Sequence, residues 1–366
     1  MTNAPQTPPN VRPLAGVPIA HLLALGVRLK ATNLHIAVGL PPVFRVRGKL
    51  LQAPFEPFDP ATARQIVSDI LTPEQKRTLE LARDVQFTHQ SEARLFRASV
   101  FYDLGAIAAA FTLFGAPPLT VEVLGLPSDL ENVSRLTRGL ILVTGANGSG
   151  KTSVVAALLD AINRGRSARI VTLEKRVEYL HTNRLSLFEQ REIGDNPTDL
   201  STALRGLAKQ DADVIAVETM YDLQTMRAVL DLAQDRLVFA QIATVSAEST
   251  VERFIESFPT EEQDAVREQF ANVLCVIVSC QLPPRGDGSG RVGAYEVLIR
   301  TPAIANLIRE GLTSHIMSHL QTGLSIGMQS MENALLNLHR AGILSREITL
   351  AYSPNRSDME TRLVAL

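Results

Sequence analysis

Two rhythms of apolar and polar residues divide the chain. In the first part the segments are short. Residues 16–36 carry apolar side chains at helical spacing (Ile19, Leu22, Leu23, Leu25, Val27, Leu29), and a strand is predicted at Leu34–Val38. Val43-Phe44-Arg45-Val46-Arg47 alternates apolar and basic positions, as a half-exposed strand does, and Gly48-Lys49 turns it into Leu50-Leu51. Helices are predicted over 60–71 and 73–82, and strands around 84–90, 94–101 and 107–114. This is the inventory of a small α+β domain over residues 16–115. Pro117, Pro118 and Pro127 mark 116–127 as a linker. Residues 1–15, rich in Pro, Asn and Thr and without a basic-then-apolar signal pattern, read as a disordered lead-in.

From about residue 128 helices and fully apolar strands alternate: 140–144, 151–163, 169–173, 200–209, 213–217, 223–232, 237–242, 248–257, 262–271 and 273–279. That order implies βαβ units and a largely parallel sheet, an α/β domain whose ligands sit at the carboxyl ends of the strands. The tail beyond about 300 is helical, at 303–310, 314–321 and 328–341.

One such strand end carries chemistry. The apolar run Leu140–Thr144 leads into Gly145-Ala146-Asn147-Gly148-Ser149-Gly150-Lys151-Thr152, and Ser153 opens a helical pattern. The form G-x-x-x-x-G-K-[ST] between a strand and a helix is that of a phosphate-binding loop. Its glycines let backbone N–H groups point inward at phosphate oxygens, and the helix N-terminus adds positive potential. Lys151 would reach the β- and γ-phosphates of a bound nucleotide, and the Thr152 hydroxyl would bind Mg²⁺.

Composition narrows the remaining classes. The chain has 366 residues, 45% hydrophobic and 20% charged, which fits two folded domains. A net charge of −2 gives no electrostatic argument for nucleic-acid binding. The longest uncharged stretch, Leu104–Val121, is interrupted by Gly105, Gly115, Pro117 and Pro118, so any role at a membrane is expected through partners. Cys275 and Cys280 sit in an apolar run and read as reduced core residues of a cytoplasmic protein.

Several segments together resemble the type IV pilus retraction ATPases, the twitching-motility family within the secretion ATPase superfamily. They are Thr32–Ile36, Gly39–Leu50, the phosphate loop, Glu189–Gly194, Ala203–Ile215, Thr301–Glu310, Gln321–Gly323 and Gly327–Gln329. The segment around Asn306 points to the retraction branch. The resemblance implies a PAS-like N-terminal domain and a RecA-like domain over 128–366, assembled as a homohexamer with ATP bound between the domains. It further implies a place at the inner face of the cell membrane, with an inner-membrane platform protein as partner and a second pilus motor ATPase as a further one. Arg97 is carried over as a nucleotide-contacting finger; Arg191 and Arg205 match family positions that serve nucleotide contacts, subunit contacts or structural ion pairs.

The departures from the family fall at the chemistry. Its acidic box keeps Glu174, but Lys175 and Arg176 follow where an Asp and a Pro are expected. Its water-activating Glu is Thr219, with Glu218 one residue early; its His-box histidine is Ala243; a second finger arginine is Thr112. A neutral hydroxyl is a poor general base. The candidate catalytic residues are therefore Glu174 and Glu218, with Glu218 and Thr152 on the metal, and the plain alternative for both acids is a solvated surface carboxylate. The expectation is ATP binding with slow hydrolysis. The alternatives are a catalytically silent, nucleotide-gated adaptor of the pilus machinery and a secretion or DNA-uptake ATPase.

Overall fold

The computed structural model describes residues 11–46, 48–91, 94–193 and 197–365, with the backbone alone at 197–199 and 219. Arg47, Gly194 and residues 1–10 of the expected lead-in lie outside the described residues. The chain divides into two units: the first runs to Pro117 and takes in Glu178–Leu180, and the second holds Pro118–Val177 and His181 onward.

In the first unit α1 (Ile19–Arg28) buries Ile19, Leu22, Leu23 and Gly26. The helical spacing expected to continue to residue 36 stops at Leu29. Lys30 takes a left-handed φ of 54°, and the chain turns directly into β1 (Ala31–Ile36), so the strand starts earlier than its apolar run suggests. There follow β2 (Val43–Val46), β3 (Lys49–Gln52), α2 (Pro60–Ser68), α3 (Pro73–Ala82), β4 (Asp84–Ser91), β5 (Arg94–Asp103) and β6 (Ala106–Phe114). Asp59 caps α2 through Ala61 and Thr62, and Thr72 with Gln75 forms a capping box on α3. The described strands form an antiparallel sheet in the order β3-β2-β1-β6-β5-β4, closed over a core that includes Phe44, Phe58 and Phe111. The described part of the expected lead-in is built into this unit: Leu14 is buried in its core, and the Arg12 amide bonds Pro54 O at 3.0 Å.

The expected linker is also built structure. The Gly115 amide donates to Glu178 O at 2.8 Å, and that of Leu180 to Ala116 O at 3.0 Å. Beyond the Pro117-Pro118 pair, α4 (Val121–Leu124) is capped by Thr120, and Val121 and Leu126 are buried in the second unit beside Leu130 and Val133. The prolines mark the boundary, but the apolar residues after them belong to a core.

The second unit continues with β7 (Gly139–Thr144), α5 (Lys151–Gly165), β8 (Arg169–Glu174), β9 (Leu187–Glu192), α6 (Pro197–Leu207), β10 (Val214–Thr219), α7 (Leu223–Leu232), β11 (Leu237–Ile242) and α8 (Ala247–Glu256). Then come α9 (Gln263–Val273), β12 (Leu274–Gln281), β13 (Ala294–Ile299), α10 (Pro302–Arg309), α11 (Ile316–Thr322), α12 (Met331–Arg340), α13 (Arg346–Tyr352) and α14 (Arg356–Val364). Among the described residues the sheet order is β13-β12-β7-β11-β10-β8-β9, parallel except for the β12–β13 pair. This is the RecA-like α/β arrangement expected for a phosphate-loop ATPase. β7 is buried along its whole length: Leu140 and Leu142 enter one core, Ile141 and Val143 the other. Helices on both faces bury the sheet and leave its carboxyl edge for ligands. Among the described residues no helix is long and apolar enough to cross a membrane.

Candidate functional site: a phosphate loop and the carboxyl edge of the parallel sheet

β7 ends at Thr144, and residues 145–150 turn the chain into α5, with Gly150 at its N-cap. The turn is fitted to glycine at Gly145, which holds φ at 144°. A Cβ there would lie 2.3 Å from Ser149 Oγ and 2.6 Å from Cys280 O. The loop is thus wedged against the end of β12. Lys151 is buried, and its Nζ donates to Gly145 O and Ala146 O, each at 2.9 Å. Desolvation lowers its pKa, and the neighbouring Cys280 thiol opposes that. Thr152 and Ser153 are half-buried in the first turn of α5, while Ala146, Asn147 and Gly148 are exposed. The hydroxyls of Thr144 and Ser149 are buried with no hydrogen-bond partner. The cavity beside the loop measures about 370 Å³; Gly145–Ser149 line it together with Val245, Gln281, Leu282, Arg291 and Tyr352.

Two carboxylates lie at the same edge of the sheet. Val217 on β10 pairs with Leu173 on β8, and Glu218 and Glu174 are the residues that follow them at the two strand ends. Glu174 is half-buried, and its Oε1 accepts from Thr172 Oγ1 at 2.5 Å and Gln190 Nε2 at 3.0 Å. It is therefore held in place rather than solvated. Lys175 and Arg176, next in sequence, are exposed. Glu218 is half-buried at a break in register: Val217 pairs with Ala240 and Thr219 with Gln241, which leaves Glu218 as the extra residue of a bulge. The alternation that would put Glu218 and Thr219 on opposite faces holds only for a regular strand, and a bulge re-aims side chains locally. The Thr219 side chain lies outside the described set.

The arginines separate. Arg191 Nε donates to Glu189 Oε1 at 2.7 Å and its NH2 to Gln210 Oε1 at 3.0 Å, and Arg169 joins the same Glu189. Arg205 bonds Thr202 Oγ1 at 3.2 Å. Arg97 belongs to the first unit, half-buried on β5 with its guanidinium 5.4 Å from the Phe114 ring centroid. Its cross-strand partner on β6 is Thr112, the place of the missing second arginine, whose hydroxyl accepts from Asn33 Nδ2 at 2.9 Å.

Two residues at this end of the sheet escaped the sequence reading. Gln241 is buried on β11 between Thr219 of β10 and Val143 of β7; a polar residue in an otherwise apolar six-residue strand was the available signal. Glu296 is buried on β13, in a strand the apolar rhythm did not announce.

A family model for type II/IV secretion system proteins matches residues 126–343. PilT of Pseudomonas aeruginosa, a type IV pilus retraction ATPase, is 37% identical over 332 residues, covering 90% of this chain and 96% of its own. The chain belongs to the PilT-like family of type II/IV secretion system proteins. A twitching motility protein of Neisseria gonorrhoeae is 32% identical over 87% of this chain and 86% of its own length. Among solved structures, the pilus retraction motor PilT with bound ADP superposes with a TM-score of 0.82 at 32% identity, covering 94% of this chain and 99% of that one. The PilT-like fold thus extends over both units, and the phosphate loop falls within the region the family model matches.

Proposed function

We propose that the protein is an ATP-binding subunit of a type IV pilus motor that works in pilus retraction and twitching motility. The observation that carries this reading is the phosphate loop: its Gly145 wedged against β12 and Lys151 drawn over it, in a chain so similar to PilT. Backbone N–H groups of Gly145–Lys151 and the α5 N-terminus would hold the phosphates, with Lys151 as the fixed counter-charge. Thr152 and Ser153 offer hydroxyls beside them. The oxygen donors Thr152 and Glu218 suit Mg²⁺, a hard cation that would neutralise charge on the transferred phosphoryl group. By the family resemblance, Arg97 is the candidate for a further phosphate contact.

Turnover is the weaker half of the activity. Ala243, Lys175 and Arg176 stand where the family resemblance expects a His, an Asp and a Pro, and Thr112 and Thr219 replace an Arg and a Glu. Losing one such positioned group commonly costs ~10²–10³-fold. Slow hydrolysis within a homohexamer at the cytoplasmic face of the membrane, engaging an inner-membrane platform protein and a second motor ATPase, is the reading these residues support. The first unit serves as its PAS-like domain, a reading its strand order favours. A silent, nucleotide-gated adaptor is the second reading, favoured by the same substitutions. Steady-state ATPase and labelled-ATP binding assays with Lys151→Ala as control decide. Binding without fast turnover supports the proposal. Turnover above about one per second per subunit would refute the degenerate site, and absence of binding would refute the phosphate loop itself.

A further inference from the structure

The cavity at the phosphate loop is not built by the parallel sheet alone. One wall comes from the C-terminal helices. Tyr352, the last residue of α13, lines it with Ala351, facing a space bounded by Val245, Leu282 and the Gly145–Ser149 backbone. Arg291 adds a cation to the same wall set. The space of about 370 Å³ falls within the range of small-ligand sites, and its composition changes across it. The loop side is formed by Gly145–Ser149, the stretch that the phosphate-loop reading places around phosphates. The far side presents an aromatic ring and aliphatic carbons, suited to a flat apolar group.

The helix that carries Tyr352 is anchored at its start. Ser345 caps α13 through the Ile348 amide, and the buried Thr349 hydroxyl returns to Ser345 O at 2.8 Å. The Gly286 amide donates to Ile343 O at 2.8 Å, which ties the start of the tail to the segment joining β12 and β13. That segment follows directly on Cys280 and Gln281, at the end of β12 where Gly145 is wedged. The ring is nonetheless 36% exposed, so it has a face to offer.

We propose that Tyr352 is the base platform of the nucleotide site: the C-terminal tail of the same chain stacks its phenol ring on the purine whose phosphates the loop holds. The inference rests on the phosphate-loop reading above and deepens it, because it assigns base recognition to residues outside the sheet. Aromatic stacking is indifferent to hydrogen-bond pattern and scales with ring area. The site should therefore favour purine over pyrimidine nucleotides. Loss of the ring should cost roughly tenfold to a hundredfold in affinity, as for other base–aromatic contacts.

Calorimetric titration with ATP and with inorganic tripolyphosphate separates base from phosphate recognition. The full-length protein is used as wild type, Tyr352→Ala, Tyr352→Phe and Lys151→Ala. The expected result is that Tyr352→Ala loses ATP affinity at least about tenfold while binding tripolyphosphate as wild type does, and that Tyr352→Phe keeps both. Unchanged ATP affinity in Tyr352→Ala would overturn the proposal. So would an equal loss of both ligands, which would mean that the tail only supports the loop. If Lys151→Ala binds both ligands as wild type does, the phosphate-loop reading fails instead, and the two failures are told apart.

Discussion

Glu296 Oε1 accepts the backbone amide of Ala247 at 2.7 Å, inside the core of the second unit. The same oxygen lies 3.4 Å from the Ser279 hydroxyl, and the Met331 amide is a further donor to the carboxyl. One side chain, 1% exposed, therefore accepts an amide from the first turn of each of α8 and α12. α8 follows the loop that carries Val245 to the phosphate cavity, and α12 opens the tail that carries Tyr352 there. Burial raises the pKa of this carboxyl; hydrogen bonds from Ala247 and Met331 oppose the rise, and Glu332 adds to it.

The first prediction follows from that junction. Glu296→Ala strands two buried amides and should lower unfolding stability by about 2–4 kcal/mol. Glu296→Gln keeps an acceptor and should lose far less. The sign with pH is fixed by the raised carboxyl. The folded state holds its proton above the ordinary value of 4.5, so stability is lost as pH rises from there. Urea unfolding at pH 5 and pH 8 should show the Gln variant gaining on wild type at the higher pH. A constant difference would mean that the buried acid does not titrate in this range.

Gly145 and Gly148 make a paired test of the loop. Both have positive φ, at 144° and 77°. Only Gly145 faces atoms that a Cβ would strike; around Gly148 nothing lies within 4 Å. Gly148→Ala carries backbone strain on the order of 1–3 kcal/mol. Gly145→Ala adds a clash with Ser149 and Cys280 O, and should both abolish ATP binding and lower Tm further. Equal effects in binding and melting would deny the close approach of the loop to β12.

What the sequence made legible was whatever is local. The phosphate loop is contiguous, so Gly145 to Ser153 could be read without knowing any neighbour. α7 and β11, with clean apolar periods, lie where expected. β9 was missed because an edge strand, Leu-Phe-Glu-Gln-Arg-Glu, buries little and shows no apolar run. β13 was missed because its inward-facing Glu296 breaks the pattern that would mark a strand. Leu14 and Val121 were assigned to lead-in and linker because their partners lie elsewhere in the chain. The bulge at Glu218 is a property of pairing with β11, and no inspection of one strand exposes it.

His181 supplies a pH test on the acid side. Its ring stacks on Phe188 with centroids 4.0 Å apart and 7° between planes. Burial pushes its pKa down to about 4, and its Nδ1 has no hydrogen-bond partner. The unfolded chain binds this proton near 6.5, so stability present above that pH is lost as the pH falls toward 4. The full loss amounts to about 3 kcal/mol. His181→Phe keeps the stack and should flatten this part of the profile. A variant whose acid unfolding retraces wild type would assign the transition to other groups.

The last prediction concerns turnover. Through the backbone, Thr219 of β10 pairs with Gln241, and Gln241 pairs with Val143 of β7, one residue before Thr144 and the phosphate loop. A carboxylate introduced by Thr219→Glu therefore enters at the strand end where the family resemblance expects the water-activating group. It should raise kcat at least about tenfold, a fraction of what one such group supplies. Glu218→Gln in that background should leave the ATP affinity of the loop in place but raise the Mg²⁺ concentration needed for half-maximal rate, since an amide is a weaker ligand for a hard cation. If Thr219→Glu gains nothing while ATP still binds, the limit lies at Ala243, Thr112 or the Lys175-Arg176 pair. Adding Ala243→His to the same chain then tests the next missing group under identical conditions.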